Sequence, residues 1–176
     1  LAEAVGRVSQ KKQTIAVCGV GGKSTTSALL SWILEYAGLS PSFAVGVGGI
    51  PNLGTTARWQ SAGTHLVIET DEYVADPQVA KQEQVPRFLY LFPSHSLCTS
   101  LTYDHPDVYA SFAETQAAFR ALFAKIPPGG NLVVNGDDAG LLALAGEFPA
   151  LHVLSVGSSE HNTIRLQDFR VENGNG

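Results

Sequence analysis

A glycine-rich turn between an apolar run and a helical pattern constrains the fold of this chain more than any other feature of its sequence. The run at residues 14–18 is short, apolar and β-branched, which predicts a buried strand. The pattern at residues 24–37 is helical, and Gly38 ends it. A strand, a glycine turn and Lys-Ser-Thr at the start of a helix form an arrangement that binds phosphate groups. We therefore expect a triphosphate site at this turn.

Each part of the turn has a chemical role at such a site. Glycines let the backbone approach an anion and point its N–H groups toward it. The helix N-terminus adds partial positive charge, Lys23 neutralises the β- and γ-phosphates, and the Ser24 hydroxyl can hold Mg²⁺. A glycine turn beside a solvated lysine is the alternative. The residues expected to bind the nucleotide are Gly19, Val20, Gly21, Gly22, Lys23, Ser24 and Thr25.

Composition limits the partners that this chain can have. Its 176 residues are 44% hydrophobic and 15% charged, which suits one globular domain. The net charge of −5 and the lack of a basic stripe argue against nucleic acid, and no apolar run is long enough to cross a membrane. Cys18 and Cys98 lack metal-type spacing, which favours buried thiols in the reducing cytoplasm. The absence of methionine, even at position 1, indicates a piece of a longer protein.

Strand and helix patterns alternate along the rest of the chain. Strands are predicted at 43–47, 65–69, 88–91, 96–100, 131–134, 151–156 and 164–171, and helices at 1–7, 111–125 and 138–146. This alternation predicts an α/β fold in which a mostly parallel sheet carries helices on both faces. Ligands of such sheets bind beyond the carboxyl ends of the strands. We therefore expect polar groups distant in sequence to meet at one edge of the sheet.

Three polar segments follow predicted strands. Residues 69–72, Glu-Thr-Asp-Glu, can supply carboxylates to Mg²⁺, with a solvated acidic turn as the alternative. His105 lies in the segment Tyr-Asp-His-Pro-Asp-Val-Tyr at 103–109, where a structural histidine is the alternative to a ligand. In Asn-Gly-Asp-Asp at 135–138, we interpret Asp137 or Asp138 as the cap of the next helix.

Taken together, these segments resemble the central ATP-binding domain of the Mur ligases, the amide-forming enzymes of peptidoglycan precursor synthesis. Residues 19–26, 69–73, 103–109 and 135–138 match four family segments in the family's order. The resemblance implies a P-loop NTPase-like fold, with residues 1–176 as the central domain of a three-domain protein. It also implies ATP and Mg²⁺ as cofactors, and missing N- and C-terminal domains that bind the UDP-sugar and close over ATP.

The resemblance carries roles to particular side chains. It implies that Lys23 and His105 are catalytic, with Lys23 on the phosphates. It implies that Ser24 and Glu69 hold one Mg²⁺, and that His105 holds a second Mg²⁺ near the acyl group.

Within the family, the chain is most similar to the branch that adds L-alanine to UDP-N-acetylmuramate through an acyl phosphate. Residues 41–43, 54–58 and 104–107 resemble that branch, although Val20-Gly21 stands where it usually has Thr-His. The branch that recycles murein tripeptide is the near alternative. A ParA-like ATPase switch and a catalytically silent Mur-like module are further alternatives; the switch class has a lysine where this chain has Cys18.

Overall fold

The computed structural model describes residues 1–167, except for the side chain of Gln82. The helices are α1 (Ala2–Ser9), α2 (Lys23–Tyr36), α3 (Phe112–Phe123) and α4 (Ala139–Ala145). The strands are β1 (Gln13–Cys18), β2 (Ser42–Ala44), β3 (Ala57–Arg58), β4 (His65–Glu69), β5 (His95–Cys98), β6 (Asn131–Asn135), β7 (His152–Gly157) and β8 (Ile164–Arg165). The outer part of the strand predicted at 164–171 lies outside the described residues. Within the described part of the chain, no helix has the length and apolar character needed to cross a membrane.

Within residues 1–167, the eight strands form one sheet in the order β3-β2-β4-β1-β5-β6-β7-β8. Every neighbouring pair is parallel except β2 and β3. The predicted α/β fold with a mostly parallel sheet is therefore confirmed. Strand β1 lies between β4 and β5, so the turn that follows β1 emerges beside the carboxyl ends of both neighbours.

Helices cover both faces of the sheet, as predicted. Side chains of a strand alternate between faces, and Val17, Phe43 and Val67 pack on the side of α2, against Leu30 and Leu34. The residues of β1 and β5 that point the other way pack against different helices. Ala16 lies in a cluster with Val5 of α1, whereas Cys18 and Cys98 join the large cluster formed with α3 and α4.

Side-chain caps fix the starts of α3 and α4. Ser111 Oγ accepts a hydrogen bond from Glu114 N at 3.4 Å, and Glu114 Oε2 accepts one from Ala110 N at 2.8 Å. The capping box predicted for α3 is thus present, with its return bond one residue earlier than expected. Asp138 caps α4, because its Oδ1 accepts from Leu141 N at 2.9 Å.

Two short elements differ from the sequence-based expectation. The strand predicted at 88–91 is wrong: Arg87–Tyr90 form a 3-10 helix that follows Pro86. Phe88 is only 1% exposed and packs on Phe119 at 5.4 Å between ring centroids. The packing of this one side chain, and not pairing with a neighbouring strand, therefore determines the conformation of the segment. Strand β3 was not predicted, because two residues at a sheet edge leave no measurable periodicity.

Candidate functional site

The loop after β1 has a backbone that demands glycine at its first position. Gly19 has φ +115°, and a Cβ there would lie 2.3 Å from Thr99 Oγ1 and 2.8 Å from Ser100 N. Gly22, which precedes α2, has φ +78°. Both values lie in the region that side chains disfavour. The loop therefore turns sharply over the end of β5 and delivers Lys23 to the first turn of α2.

Residues that follow β5 form hydrogen bonds to the loop and hold it in place. Thr99 Oγ1 donates to Cys18 O at 3.2 Å and also contacts Gly21 O. Ser100 Oγ accepts from Gly21 N at 3.2 Å. These contacts join residues about 80 positions apart, which is why sequence inspection did not find Thr99.

The start of α2 is bonded to the acidic segment that follows β4. Lys23 Nζ lies 2.9 Å from Glu72 Oε2 and 3.1 Å from Glu72 Oε1. Ser24 Oγ donates to Glu69 Oε1 at 2.7 Å, and Gly46 N donates to Glu69 Oε2 at 2.6 Å. Each glutamate thus pairs with a different polar residue at the start of α2: Glu72 with Lys23, and Glu69 with Ser24.

His105 completes the cluster from a third loop. Its backbone has φ +54°, an unusual value for a residue with a side chain and one found often at functional sites. His105 Nε2 lies 3.6 Å from Glu72 Oε1 and 3.8 Å from Asp104 Oδ2. One ligand atom from each of Glu72, Asp104 and His105 lies within 4.8 Å of the others, a spacing that can hold a metal ion.

Two tyrosines support this loop. Tyr73 Oη donates to Asp107 Oδ2 at 2.7 Å, which raises the pKa of Tyr73 and lowers that of Asp107. Tyr109 Oη donates to Glu72 O at 2.6 Å. Burial, and after it the Glu72 charge, raises the pKa of Tyr109, so this hydroxyl stays protonated and keeps its donor role.

These groups meet around one cavity of about 490 Å³ at the carboxyl edge of the sheet. Its lining residues are Val20, Lys23, Gly46, Glu69, Asp71, Glu72, Asp104 and His105. A larger cavity of about 780 Å³ lies between α1 and residues 75–91 and shares Glu69 and Asp71 with the first. The expected convergence of the phosphate loop, the acidic segment and His105 is therefore observed.

The Asn-Gly-Asp-Asp segment has a structural role in the described residues. Asp138 caps α4 and also accepts from Leu101 N at 2.7 Å. Asp137 accepts from the backbone of Ser158 and Ser159 and from Asn162 Nδ2 at 2.9 Å, and so holds the loop after β7. The interpretation of one of these aspartates as a helix cap is confirmed for Asp138.

The side chains of the cavity fit a hydrated divalent cation together with phosphate. Mg²⁺ prefers carboxylate and hydroxyl oxygens and keeps several waters, and Ser24 and Glu69 offer one hydroxyl and one carboxylate in direct contact. His105, Asp104 and Glu72 offer a second donor set. The loop N–H groups and Lys23 suit the phosphates.

Comparison with known proteins shows the family to which this chain belongs. A family model described as the Mur ligase middle domain matches residues 17–175. The UDP-N-acetylmuramate–L-alanine ligase of Roseiflexus castenholzii is 37% identical over 138 residues, which cover 78% of this chain and 26% of that protein. The protein of the same name from Methylobacillus flagellatus is 34% identical over 164 residues, covering 93% of this chain and 32% of its own. The chain thus spans about a quarter to a third of these relatives.

Solved structures give the same result for the fold. The UDP-N-acetylmuramate:L-alanyl-γ-D-glutamyl-meso-diaminopimelate ligase of Neisseria meningitides superposes with a TM-score of 0.80 at 28% identity, covering 92% of this chain and 51% of that one. A MurF ligase from Thermotoga maritima, solved in complex with ADP, superposes with a TM-score of 0.72 at 16% identity, covering 98% of this chain and 39% of that one. The second likeness concerns the fold alone.

Proposed function

The chain belongs to the Mur ligase family as its middle domain, and on that premise we propose that it is the ATP-binding part of an amide ligase that joins L-alanine to UDP-N-acetylmuramate. The observation that carries this proposal is the convergence of Lys23, Ser24, Glu69 and His105 around one cavity. The relatives whose names state this reaction are 34–38% identical to the chain.

The reaction proceeds in two steps. A carboxylate oxygen of the muramyl substrate forms a bond to the γ-phosphorus of ATP, and the bond to the bridging oxygen of ADP breaks. The amine of L-alanine then forms a bond to the acyl carbon of this acyl phosphate, and inorganic phosphate leaves. The first step brings a carboxylate against a triphosphate, so its barrier is dominated by charge repulsion.

The side chains of the cavity offset this repulsion from two sides. The loop N–H groups and Lys23 bind the phosphates, where the fixed ammonium stabilises the charge that develops as the γ-phosphoryl group transfers. Ser24 and Glu69 would hold the Mg²⁺ that accompanies ATP, and His105 would hold a second Mg²⁺. Magnesium supplies Lewis-acid neutralisation of the phosphate and carboxylate oxygens.

A test of this function uses the full-length protein with ATP and Mg²⁺. We expect phosphate release that depends on both UDP-N-acetylmuramate and L-alanine, and we expect Lys23→Ala to lower its rate on the order of 10²–10³-fold or more, because one fixed charge contact is lost. Lys125→Ala removes a lysine that lies over the Phe92 ring and does not line this cavity, so it is the matched control and retains most of the rate. Near-normal turnover of Lys23→Ala would contradict the assignment of the loop.

Murein tripeptide is the second candidate for the amine-bearing substrate. The superposition on the Neisseria tripeptide-type ligase at a TM-score of 0.80 favours it, as does the Asp-Glu-Tyr segment at 71–73. The same assay separates the candidates. Release that requires the tripeptide instead of L-alanine identifies a recycling ligase, hydrolysis with neither substrate identifies an ATPase switch, and no hydrolysis under any condition identifies a silent module.

A further inference from the structure

Among the described residues, Glu72 is the carboxylate that lies within 4 Å of both Lys23 Nζ and His105 Nε2. Its side chain is 2% exposed. Both of its carboxylate oxygens bond to Lys23 Nζ, and Oε1 also faces His105 Nε2 at 3.6 Å. The proposed reaction does not use this side chain in either step.

A buried carboxylate needs a cationic partner. Removing an ionised carboxyl group from water is costly unless an opposite charge or hydrogen bonds replace the water. Among the described residues, the recorded hydrogen bonds to this carboxylate come from Lys23. When the phosphates of a nucleotide compete for the Lys23 ammonium, Glu72 therefore needs another cation or hydrogen-bond donor within reach of its side chain.

The backbone around Glu72 limits how that need can be met. Tyr109 Oη donates to Glu72 O at 2.6 Å, and Tyr109 N in turn donates to His105 O at 2.9 Å. The main chain of Glu72 and the His105 loop are thus joined into one unit. A change of partner at Glu72 is then a movement of its carboxylate from Lys23 toward His105, over a few ångströms.

The second partner is already defined by geometry. Glu72, Asp104 and His105 each present a ligand atom within 4.8 Å of the other two, and Glu72 is the buried member of this set. A divalent cation bound by His105 therefore lies within reach of the same carboxylate that pairs with Lys23.

We propose that Glu72 is a positioning residue that exchanges Lys23 for the cation at His105, and so couples nucleotide binding to metal binding at the second site. This inference rests on the proposed function, because it takes Lys23 as the phosphate ligand and His105 as a metal ligand. This coupling can be measured from either ligand, because thermodynamic linkage is reciprocal: the factor by which Mg²⁺ changes the affinity for the nucleotide equals the factor by which the nucleotide changes the affinity for Mg²⁺.

The test measures the dissociation constant of ADP by calorimetry on the full-length protein, once in EDTA and once in saturating Mg²⁺. The variants are Glu72→Gln and, as matched control, Asp71→Asn. Both remove one negative charge from the lining of the same cavity, but Asp71 pairs with Arg87 instead of Lys23. Glu72→Asp is a second variant that keeps the charge and shortens its reach.

We expect Glu72→Gln to bind metal-free ADP about tenfold tighter than Asp71→Asn does, because the phosphates of ADP no longer compete with a carboxylate for Lys23. We expect the gain in affinity from Mg²⁺ to fall about tenfold in Glu72→Gln, because the cation at His105 loses a ligand. We expect Glu72→Asp to show a smaller increase in ADP affinity on adding Mg²⁺ than the wild type shows. Its ADP dissociation constant in EDTA stays near that of the wild type, because the negative charge beside Lys23 is kept.

A Glu72→Gln protein whose two dissociation constants match those of Asp71→Asn overturns the proposal, and so does a Glu72→Asp protein with the wild-type Mg²⁺ gain. Lys23→Ala separates this failure from that of the proposed function. If Lys23→Ala binds ADP as the wild type does, the phosphate loop itself is wrongly assigned. If it loses ADP while Glu72→Gln behaves as the control, only the exchange is wrong.

Discussion

At the residue scale, carboxylates that follow strands organise this molecule, and each has a different task. Glu69 accepts hydrogen bonds from Ser24 Oγ and Gly46 N, and Glu72 accepts from Lys23 Nζ. Asp138 accepts from Leu141 N in the first turn of α4. Asp137 holds the loop after β7 through four hydrogen bonds from Ser158, Ser159 and Asn162. Residue type alone does not separate these tasks, because the partners come from distant segments of the chain.

The pH dependence of stability tests the role of Asp137. Hydrogen bonds from Ser159 and Ser158 lower the pKa of Asp137 well below its usual range. A carboxyl group with a depressed folded-state pKa contributes stability above its unfolded pKa, about 4, and loses it as pH falls toward the folded value. We therefore expect Asp137→Ala to lower the melting temperature at pH 7 and to lower it progressively less between pH 4 and pH 2.

Thermal unfolding of the wild type and Asp137→Ala across that pH range provides the measurement. Asp76→Ala is the control, because Asp76 is an exposed aspartate whose Oδ1 accepts from Gln78 N, two residues along the chain. An Asp137→Ala difference that stays constant from pH 7 to the lowest pH at which both proteins fold would show that the carboxylate charge is not what holds the loop.

At the element scale, strands and helices with a strong pattern were predicted closely, and those set by one long-range contact were not. Strand β4 was predicted at its observed bounds, because a continuous apolar run, buried at Leu66, Val67 and Ile68, ends in an acidic segment. The cap of α3 was visible as Ser111 with Glu114 three residues later. The 3-10 helix at 87–90 was not visible, because the burial of Phe88 against Phe119 is a contact across 31 positions.

Asp138 links two elements, which gives a prediction at this scale. It caps α4 and also accepts from Leu101 N, whose residue is 3% exposed and begins the segment that leads to His105. We expect Asp138→Ala to lower the free energy of unfolding by about 2–3 kcal/mol, since a cap is worth about 1 kcal/mol and a buried unsatisfied N–H costs a similar amount or more.

Denaturant unfolding of Asp138→Ala and Ser111→Ala compares an N-cap that also bonds a second segment with one that only caps its helix. Ser111 is also an N-cap, but its side chain accepts one bond, from Glu114 N. We expect Ser111→Ala to cost about 1 kcal/mol or less. Equal losses in the two variants would mean that the bond to Leu101 N contributes nothing to stability.

At the scale of the whole molecule, the handedness of crossovers explains where the helices lie. From β1 the chain crosses α2 toward β2 on one side of the sheet, and from β5 it crosses α3 and α4 toward β7 on the other. Right-handed connections that run in opposite directions place their helices on opposite faces. The alternation of patterns was enough to predict both layers, and the convergence of polar loops at the carboxyl edge follows from the same rule.

The order of the strands and the pairing inside the site were beyond the reach of the sequence. Strand β4 inserts between β2 and β1, and its pairing with β1 joins residues about 50 positions apart. For the same reason, the sequence showed Lys23, Ser24, Glu69 and His105 as candidates but did not show that Glu72 stands between the phosphate loop and His105.

Oxygen transfer tests the central claim, that this site activates a carboxylate with ATP, most directly. Full-length protein is given ATP, Mg²⁺, L-alanine and UDP-N-acetylmuramate in which both carboxylate oxygens are ¹⁸O, and the released phosphate is analysed by mass spectrometry. We predict one ¹⁸O atom in each phosphate, because the carboxylate oxygen that attacks the γ-phosphorus leaves with it when the amide forms. Phosphate without ¹⁸O, released at the rate of ADP formation, would mean that water is the acceptor and would contradict the account.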